Sequence, residues 1–327
     1  NTRVRAPSGW RTRSVGMGGA ACASANDVDA CFYNPAGLAW IDHNSLSLSA
    51  SLYGFQQHSV EDYFFPGEDL KTESFVTIPS TIGSAIKLGS RGALAISAFT
   101  PERVAVSQVK AFPANNHYYA MSAEANTIWL GPSAGYQLTP KIAVGASVFG
   151  IYRSYSRIES LFWGDYALSV SQNTKARSMS LLGVLGVQYR PLDTIALGLS
   201  VRTGSARLVG KGESLTHFAM GLSRLQASES VYAENMDAED RTPPSVTAGI
   251  SWGKPEEWML AADVTHYLAT SYNALTGVDE SGAMYSLPIR REPVTDFNVG
   301  AEYRFLKKYP IRAGFFTSFS SAPETSL

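Results

Sequence analysis

The side chains best able to do chemistry in this sequence are scattered rather than gathered. His43, His58, His117, His217 and His266 show no spacing that would bring two imidazoles to one metal, and Cys22 and Cys31 have no histidine close by in sequence. No Gly-x-Ser-x-Gly elbow is present, and Gly210-Lys211-Gly212-Glu213-Ser214 is too short and wrongly ordered for a phosphate loop. Gly16-x-Gly18 is a poor dinucleotide loop, because no strand precedes it and no parallel βαβ unit follows. These absences predict no enzyme, no cofactor and no metal. A lipase built on a serine-histidine pair inside a barrel stays open as the enzymatic alternative. The two cysteines lie near enough to bridge in an oxidising compartment, or they are two small thiols buried in a tight segment, and both readings stand.

Any such residues must be held by elements, and composition limits which. The 327 residues are 45% apolar and 17% charged, with a net charge of -1. That balance leaves no basic surplus to neutralise phosphates, so nucleic acid is not an expected partner. A membrane helix needs about 20 successive apolar residues. The apolar run over 179–187 is cut by Gln188 and Arg190 well before that. Gly 28 and Tyr 16 are abundant, and aromatic residues at strand ends are what the girdles of a transmembrane barrel require. Asn1 begins no basic region and apolar core of a signal peptide, and it is read as a processed terminus.

After about the first forty residues, hydropathy alternates with the period of strands whose faces meet different surroundings. In 141–157, one face reads Ile142, Val144, Ala146, Val148, Gly150 and Tyr152. The other reads Ala143, Gly145, Ser147, Phe149, Ile151, Arg153, Tyr155 and Arg157. The same parity sets Ile195, Leu197, Leu199 and Val201 against Ala196, Gly198, Ser200 and Arg202, and it recurs in 45–54 and 297–305. A soluble sandwich also alternates, but inner rows of Gly, Ala and Ser leave room for contents within a closed barrel. Arg153, Arg157 and Arg202 therefore have lumenal parity.

Connections alternate in length. Short ones fall at 88–92, 138–141, 190–193, 253–256 and 306–310; long ones fall at 55–78, 101–125, 156–175, 209–242 and 269–291. Short turns on one rim and long loops on the other are the plan of outer-membrane barrels, with the short turns in the periplasm. Tyr136, Tyr189, Trp252, Trp258, Tyr303 and Tyr309 gather at the short-turn ends as a girdle would. About eleven strands are expected. Since single-chain bacterial barrels have an even number, further strands are expected beyond Leu327. Within 210–240, Leu215, Phe218, Met220, Leu222 and Leu225 are spaced as a short amphipathic helix. Such apolar residues on an outer loop could collect greasy ligands, or pack on a neighbouring loop or a partner. Gly83 or Gly92 could allow a kink in the second and third strands.

The amino end carries the most specific signal. Gly16-Met17-Gly18-Gly19-Ala20-Ala21, then Asn26-Asp27-Val28-Asp29-Ala30, then Phe32-Tyr33-Asn34-Pro35-Ala36-Gly37-Leu38-Ala39 resembles the amino-terminal hatch of the FadL/TodX family. Physically, Gly16, Gly18 and Gly19 permit close approach and positive φ where a plug folds back. Asn34 can cap a turn, Pro35 fixes φ without needing a partner, and Ala36 completes the motif. The resemblance implies an all-β transmembrane antiparallel barrel of fourteen strands, with residues 1–44 as a lumenal hatch and 45–327 as the barrel lacking about three strands. It also implies a bacterial outer-membrane location among membrane lipid and lipopolysaccharide, and passive uptake of long-chain fatty acids or other hydrophobic molecules with release gated by the hatch. Arg153, Arg157 and Arg202 are then the candidates for an acidic head group, although lumenal arginines also pair with acids or hold plugs. Glu302, Arg304 and Arg312, near the turn rim, are expected to pair with each other or with the hatch. The rival reading is a structural or docking barrel in an envelope assembly or secretion complex, with envelope proteins as partners and nothing transported.

Overall fold

The computed structural model describes residues 12–48, 53–60, 70–77, 81–113, 116–164, 167–222, 225–254, 257–306 and 309–323. The chain opens with two short helices, α1 (Thr12–Gly16) and α2 (Ala30–Tyr33), and a 3-10 turn over Pro35–Trp40. Strands follow: β1 (Ser45–Leu48), β2 (Tyr53–Val60), β3 (Leu70–Thr77), β4 (Thr81–Leu88), β5 (Gly92–Phe112), β6 (His117–Thr139), β7 (Ile142–Trp163), β8 (Leu168–Leu192) and β9 (Ile195–Arg202). The remainder are β10 (Ala206–Leu222), β11 (Leu225–Ala238), β12 (Ser245–Lys254), β13 (Trp258–Tyr267), β14 (Thr270–Val278), β15 (Met284–Arg291), β16 (Val294–Phe305) and β17 (Tyr309–Phe316).

One antiparallel sheet carries the order β1-β4-β5-β6-β7-β8-β9-β12-β13-β16-β17, with β2 and β3 as a separate hairpin. Each side chain's environment follows its parity. On β8, Ser180, Leu182, Val184, Gly186 and Gln188 are buried on the inner face, while Met179, Leu181, Leu185, Val187 and Tyr189 are exposed on the outer one. From 179 to 189 the strand advances about 33 Å, and a tilt of roughly 40° turns this into about 25 Å of height, the apolar band of an outer-membrane barrel. Exposed apolar residues at this height belong to a surface whose solvent is lipid. The plan expected from the alternation, one large antiparallel sheet with the amino-terminal segment packed on its inner face, is the architecture found; its end strands β1 and β17 are not paired with each other among the described residues.

Two expectations about the long connections are overturned. The loops expected at 55–78, 101–125, 156–175, 209–242 and 269–291 all contain paired strand: β2 and β3 pair up to Val60 opposite Leu70, β5 and β6 to Phe112 opposite His117, β7 and β8 to Trp163 opposite Leu168, β10 and β11 to Leu222 opposite Leu225, and β14 and β15 to Val278 opposite Met284. Once a ladder rises above the lipid, both faces meet water, so hydropathy stops alternating while backbone pairing continues. The amphipathic helix expected within 210–240 is the hairpin β10–β11. Its three- and four-residue spacing suits a helix, but β8 offers an edge on which Leu215 pairs opposite Asn173 and Phe218 opposite Val170. Tertiary pairing overrides local spacing.

Four strands are interrupted at one level. β9 gives way to β10 across 203–205, β11 to β12 across 239–244, β13 to β14 across 268–269, and β15 to β16 across 292–293. Below the breaks the ladder is continuous from β9 to β12, β13 and β16; above them β11 and β14 meet only at Asp237–Thr276 and Ala238–Leu275. At this level the strand ladders give way to single hydrogen bonds, such as Ser205 N–H to the Thr242 carbonyl and Leu268 N–H to that of Pro244, and Asp240 of the segment 239–244 turns inward.

Candidate functional site: a lumenal chamber above the plug

The plug is fastened to the wall by backbone groups that would otherwise be buried without partners. The Asn34 side chain is fully buried: its Nδ2 donates to the carbonyls of Cys22 (2.9 Å) and Val187 (3.0 Å), and its Oδ1 accepts from the Ala36 amide (3.2 Å). Pro35 and Ala36 start the 3-10 turn that this capping directs. Asp263 Oδ2 on β13 accepts from the amides of Ala21 and Cys22, both at 2.8 Å. Ser147 donates to the Cys31 carbonyl (2.8 Å), and Asn298 donates to that of Gly18 (2.6 Å).

The wall meets the plug through glycine. Gly135, Gly145 and Gly186 are register partners across β6, β7 and β8. A Cβ on Gly145 would lie 2.2 Å from the Pro35 carbonyl carbon, and one on Gly186 would lie 1.9 Å from Asn34 Oδ1. Gly18 and Gly19 take positive φ, 63° and 84°, where the plug turns against β16 and β17, and Gly16 lies against Arg312. Cys22 and Cys31 are free and buried, so the disulfide alternative is corrected in favour of two packed thiols. Burial raises the Cys31 thiol to about 11, only partly offset by the neighbouring Ser133 and Ser97 hydroxyls, which keeps it protonated at neutral pH.

Above α2 the plug surface is aromatic. Phe32 packs 5.4 Å from Trp129 and 5.5 Å from Phe99, which in turn meets Phe149 at 5.8 Å. The Arg202 guanidinium stacks over Phe32 (4.5 Å) and Trp129 (5.2 Å) and donates to the Phe32 carbonyl (3.2 Å). Stacking suits a planar, weakly hydrated cation removed from water. Over this floor lies a chamber of about 100 Å³, whose lining includes Trp129, Arg153, Arg202, Asp240, Tyr267, Leu268 and Arg291. A second, more polar cavity of about 60 Å³ adjoins it between plug and wall, and Arg202, Tyr267 and Asp296 line both.

A polar bridge roofs the chamber. Asp240, from the segment between β11 and β12, reaches Arg153 of β7 at 2.6 Å and Arg291 of β15 at 3.8 Å, and it accepts from the Tyr272 hydroxyl at 3.0 Å. Burial pushes the Asp240 carboxyl up, but Arg153 and Arg291 outweigh it and hold the group below the ordinary carboxylate value. The bridge therefore stays charged at neutral pH and ties β7 to β15 through the 239–244 segment.

The three arginines of lumenal parity are not one cluster. Arg153 is in the roof and Arg202 in the floor, while Arg157 pairs with Glu159 (2.8 Å) higher on β7, away from the chamber lining. At the turn rim, Glu302 is buried among Arg13 of the plug (3.3 Å), Arg304 (3.1 Å) and Arg312 (2.6 Å). Leu215 faces outward on β10, whereas Phe218 and Met220 share the inner face with Val170 and Leu168; the Leu222 side chain lies outside the described residues. Asp240, Tyr272 and Arg291 escaped the sequence reading because they lie in stretches taken as loops, where no parity assigns a face. The first strand does begin at Ser45.

A wall with a lipid-height apolar band outside, a plug fastened inside and a chamber above that plug defines a plugged transmembrane β-barrel. The chain belongs to the outer membrane protein transport protein family (OMPP1/FadL/TodX), whose family model matches residues 8–325. No curated protein sequence matches it. Its fold is similar to that of the toluene transporter TodX of Pseudomonas putida, with 18% identity over 97% of this chain and 85% of that one and a TM-score of 0.77. The toluene transporter TbuX of Ralstonia pickettii matches at 17% identity over 96% and 87% with a TM-score of 0.71. A FadL homologue of Pseudomonas aeruginosa matches at 15% over 98% and 82% with a TM-score of 0.68. The protein is thus an outer-membrane β-barrel of a transport family.

Proposed function

We propose that this protein is a passive channel for hydrophobic molecules, long-chain fatty acids among them, which bind in the lumenal chamber and leave when the amino-terminal hatch moves. The observation that carries this reading is the chamber itself. Its floor is Trp129 and Arg202, and Arg202 stacks on the plug residue Phe32 and donates to its carbonyl, so movement of the plug changes the site. The toluene transporters of the same fold handle a hydrophobic compound without a charged group. Here Arg202 supports an acidic head, because among the described residues no carboxylate is paired with it and its Nε has no partner. Arg153 is available only once the bridge to Asp240 opens. A long acyl chain outgrows a chamber of this size and would extend upward along the inner wall, where Phe218 and Met220 face inward. Apolar burial at about 25 cal/mol per Å² drives such binding without an energy source.

The hatch is tested with its own cysteine. The Cys31 thiol lies beside the Ser133 hydroxyl of β6, so Ser133→Cys in a Cys22→Ser background places two thiols together. Oxidation is expected to cut uptake of labelled oleate into cells or liposomes at least tenfold, and reductant to restore it. Uptake indifferent to the lock would refute hatch gating. No uptake in either state, with stoichiometric envelope partners copurifying, would support a docking barrel instead.

A further inference from the structure

The outer surface holds a charge arrangement that neither plug nor chamber uses. On the outer face, Tyr152 of β7, Met179 of β8 and Val209 of β10 form one cross-strand row, all exposed and apolar. The next row upward reads Ser154, Arg177, Lys211 and Asp237. The surface passes from lipid-facing to cationic in a single step. Arg177 stands just past the top of the roughly 25 Å apolar band on β8, at the boundary where head groups begin. The long-hairpin side of the barrel is the outer one, so this is the outer leaflet.

Nearby acids do not neutralise the row. Lys175 is paired with Glu213 (3.1 Å), and Asp237, the register partner of Lys211, is held by Arg207 (2.5 Å). Among the described residues, neither Arg177 nor Lys211 makes an ion pair with a carboxylate. They sit directly opposite each other in the β8–β10 ladder, and both are exposed. Like charges placed directly opposite destabilise a ladder, unless an anion sits between them. A guanidinium with an ammonium beside it offers forked and point-charge donors to a phosphate. The Ser154 hydroxyl flanks them, and the apolar row below offers a bed for acyl chains.

We propose that Arg177 and Lys211 bind a phosphate of the phosphorylated glycolipid of the outer leaflet, with that lipid's acyl chains lying on Tyr152, Met179 and Val209. The site is separate from the lumen, and it stands whether or not the uptake reading does. A bound glycolipid here would clamp β8 to β10 just above the level where β9 gives way to β10, bracing the taller wall.

Binding is measured on the full chain in detergent by calorimetry and native mass spectrometry, with bisphosphoryl lipid A, dephosphorylated lipid A and inorganic phosphate as probes. Bisphosphoryl lipid A is expected to bind at least tenfold more tightly than the dephosphorylated form. The pair Arg177→Gln with Lys211→Gln should remove that preference, while Arg177→Lys with Lys211→Arg should keep most of it. Lys141→Gln at the opposite rim should change nothing. Heat-modifiable migration on gels establishes that each variant is folded. Equal binding of both lipids, or an unchanged preference in the double glutamine variant, overturns the proposal. Inorganic phosphate competing at equal concentration also overturns it, since the site would then take an anion rather than a lipid.

Discussion

At the scale of single residues, the lumen is organised by carboxylates that each hold more than one partner. Asp240 is the plainest case, drawing Arg153 and Arg291 from opposite sides of the chamber. Asp240→Asn would leave two guanidiniums facing a neutral amide, and should cost about 1–3 kcal/mol of local stability. That loss is to be read as faster hydrogen exchange at the amides around the 239–244 break, together with faster uptake of ligand. The pH dependence follows from the depressed carboxyl. Because folding lowers its pKa, its contribution is complete above the unfolded value of about 3.9 and is lost as pH falls through the lower folded value. The roof should therefore hold from neutral pH down to about 4 and loosen only below, whereas the Asn variant should show no such transition. Loosening near pH 6 in the natural protein would contradict this account.

At the scale of elements, the contact between plug and wall depends on what is missing from the strands. Gly145 and Gly186 admit the Asn34-Pro35-Ala36 turn against β7 and β8, since any Cβ there would overlap the plug backbone or the Asn34 side chain. Gly145→Ala inserts a methyl group 2.2 Å from the Pro35 carbonyl carbon, too close for either backbone to yield cheaply. The barrel should still form, because its ladder hydrogen bonds are untouched, but the plug should sit displaced. Cells carrying the variant should become more sensitive to bulky antibiotics, and protease should cut the amino-terminal segment sooner. Unchanged sensitivity and proteolysis would mean that the glycine serves something other than plug docking. The alternation of strands was legible in the sequence, and so were the plug motif and the positive φ at Gly18 and Gly19. The glycine row was read only as space for lumenal contents, because nothing in one strand's sequence tells which residue lies beside it on the next.

At the scale of the whole molecule, the wall is uneven in height. The β5 to β8 strands and the β10–β11 hairpin rise well above the band that lipid covers, whereas the interrupted strands lose continuity at the chamber. A tall wall suits capture of ligand from outside, with Phe218 and Met220 on its inner face. Removing 215–232 and joining Ser214 to Ala233, which are register partners, through an Asn-Gly turn should leave the barrel folded and heat-modifiable. The KM for uptake is expected to rise several-fold while maximal rate changes little, as befits loss of a collecting surface. A fall in maximal rate at constant KM would place the hairpin in the passage itself.

Sequence by itself determined the two-faced strands, the polarity of short and long connections, and the plug before the first strand. Each of these is written in local spacing: period two for a strand between lipid and lumen, glycine and proline for turns, and Asn34-Pro35 for a capped one. Tertiary structure alone decided that the expected outer loops are ladders and that the expected helix is a hairpin. It also decided that the three candidate arginines part into roof, floor and upper wall. The reason is that pairing is non-local. A strand finds its partner, and a lumenal charge its counter-ion, across tens of residues, and hydropathy ceases to report on either once both faces of the ladder meet water.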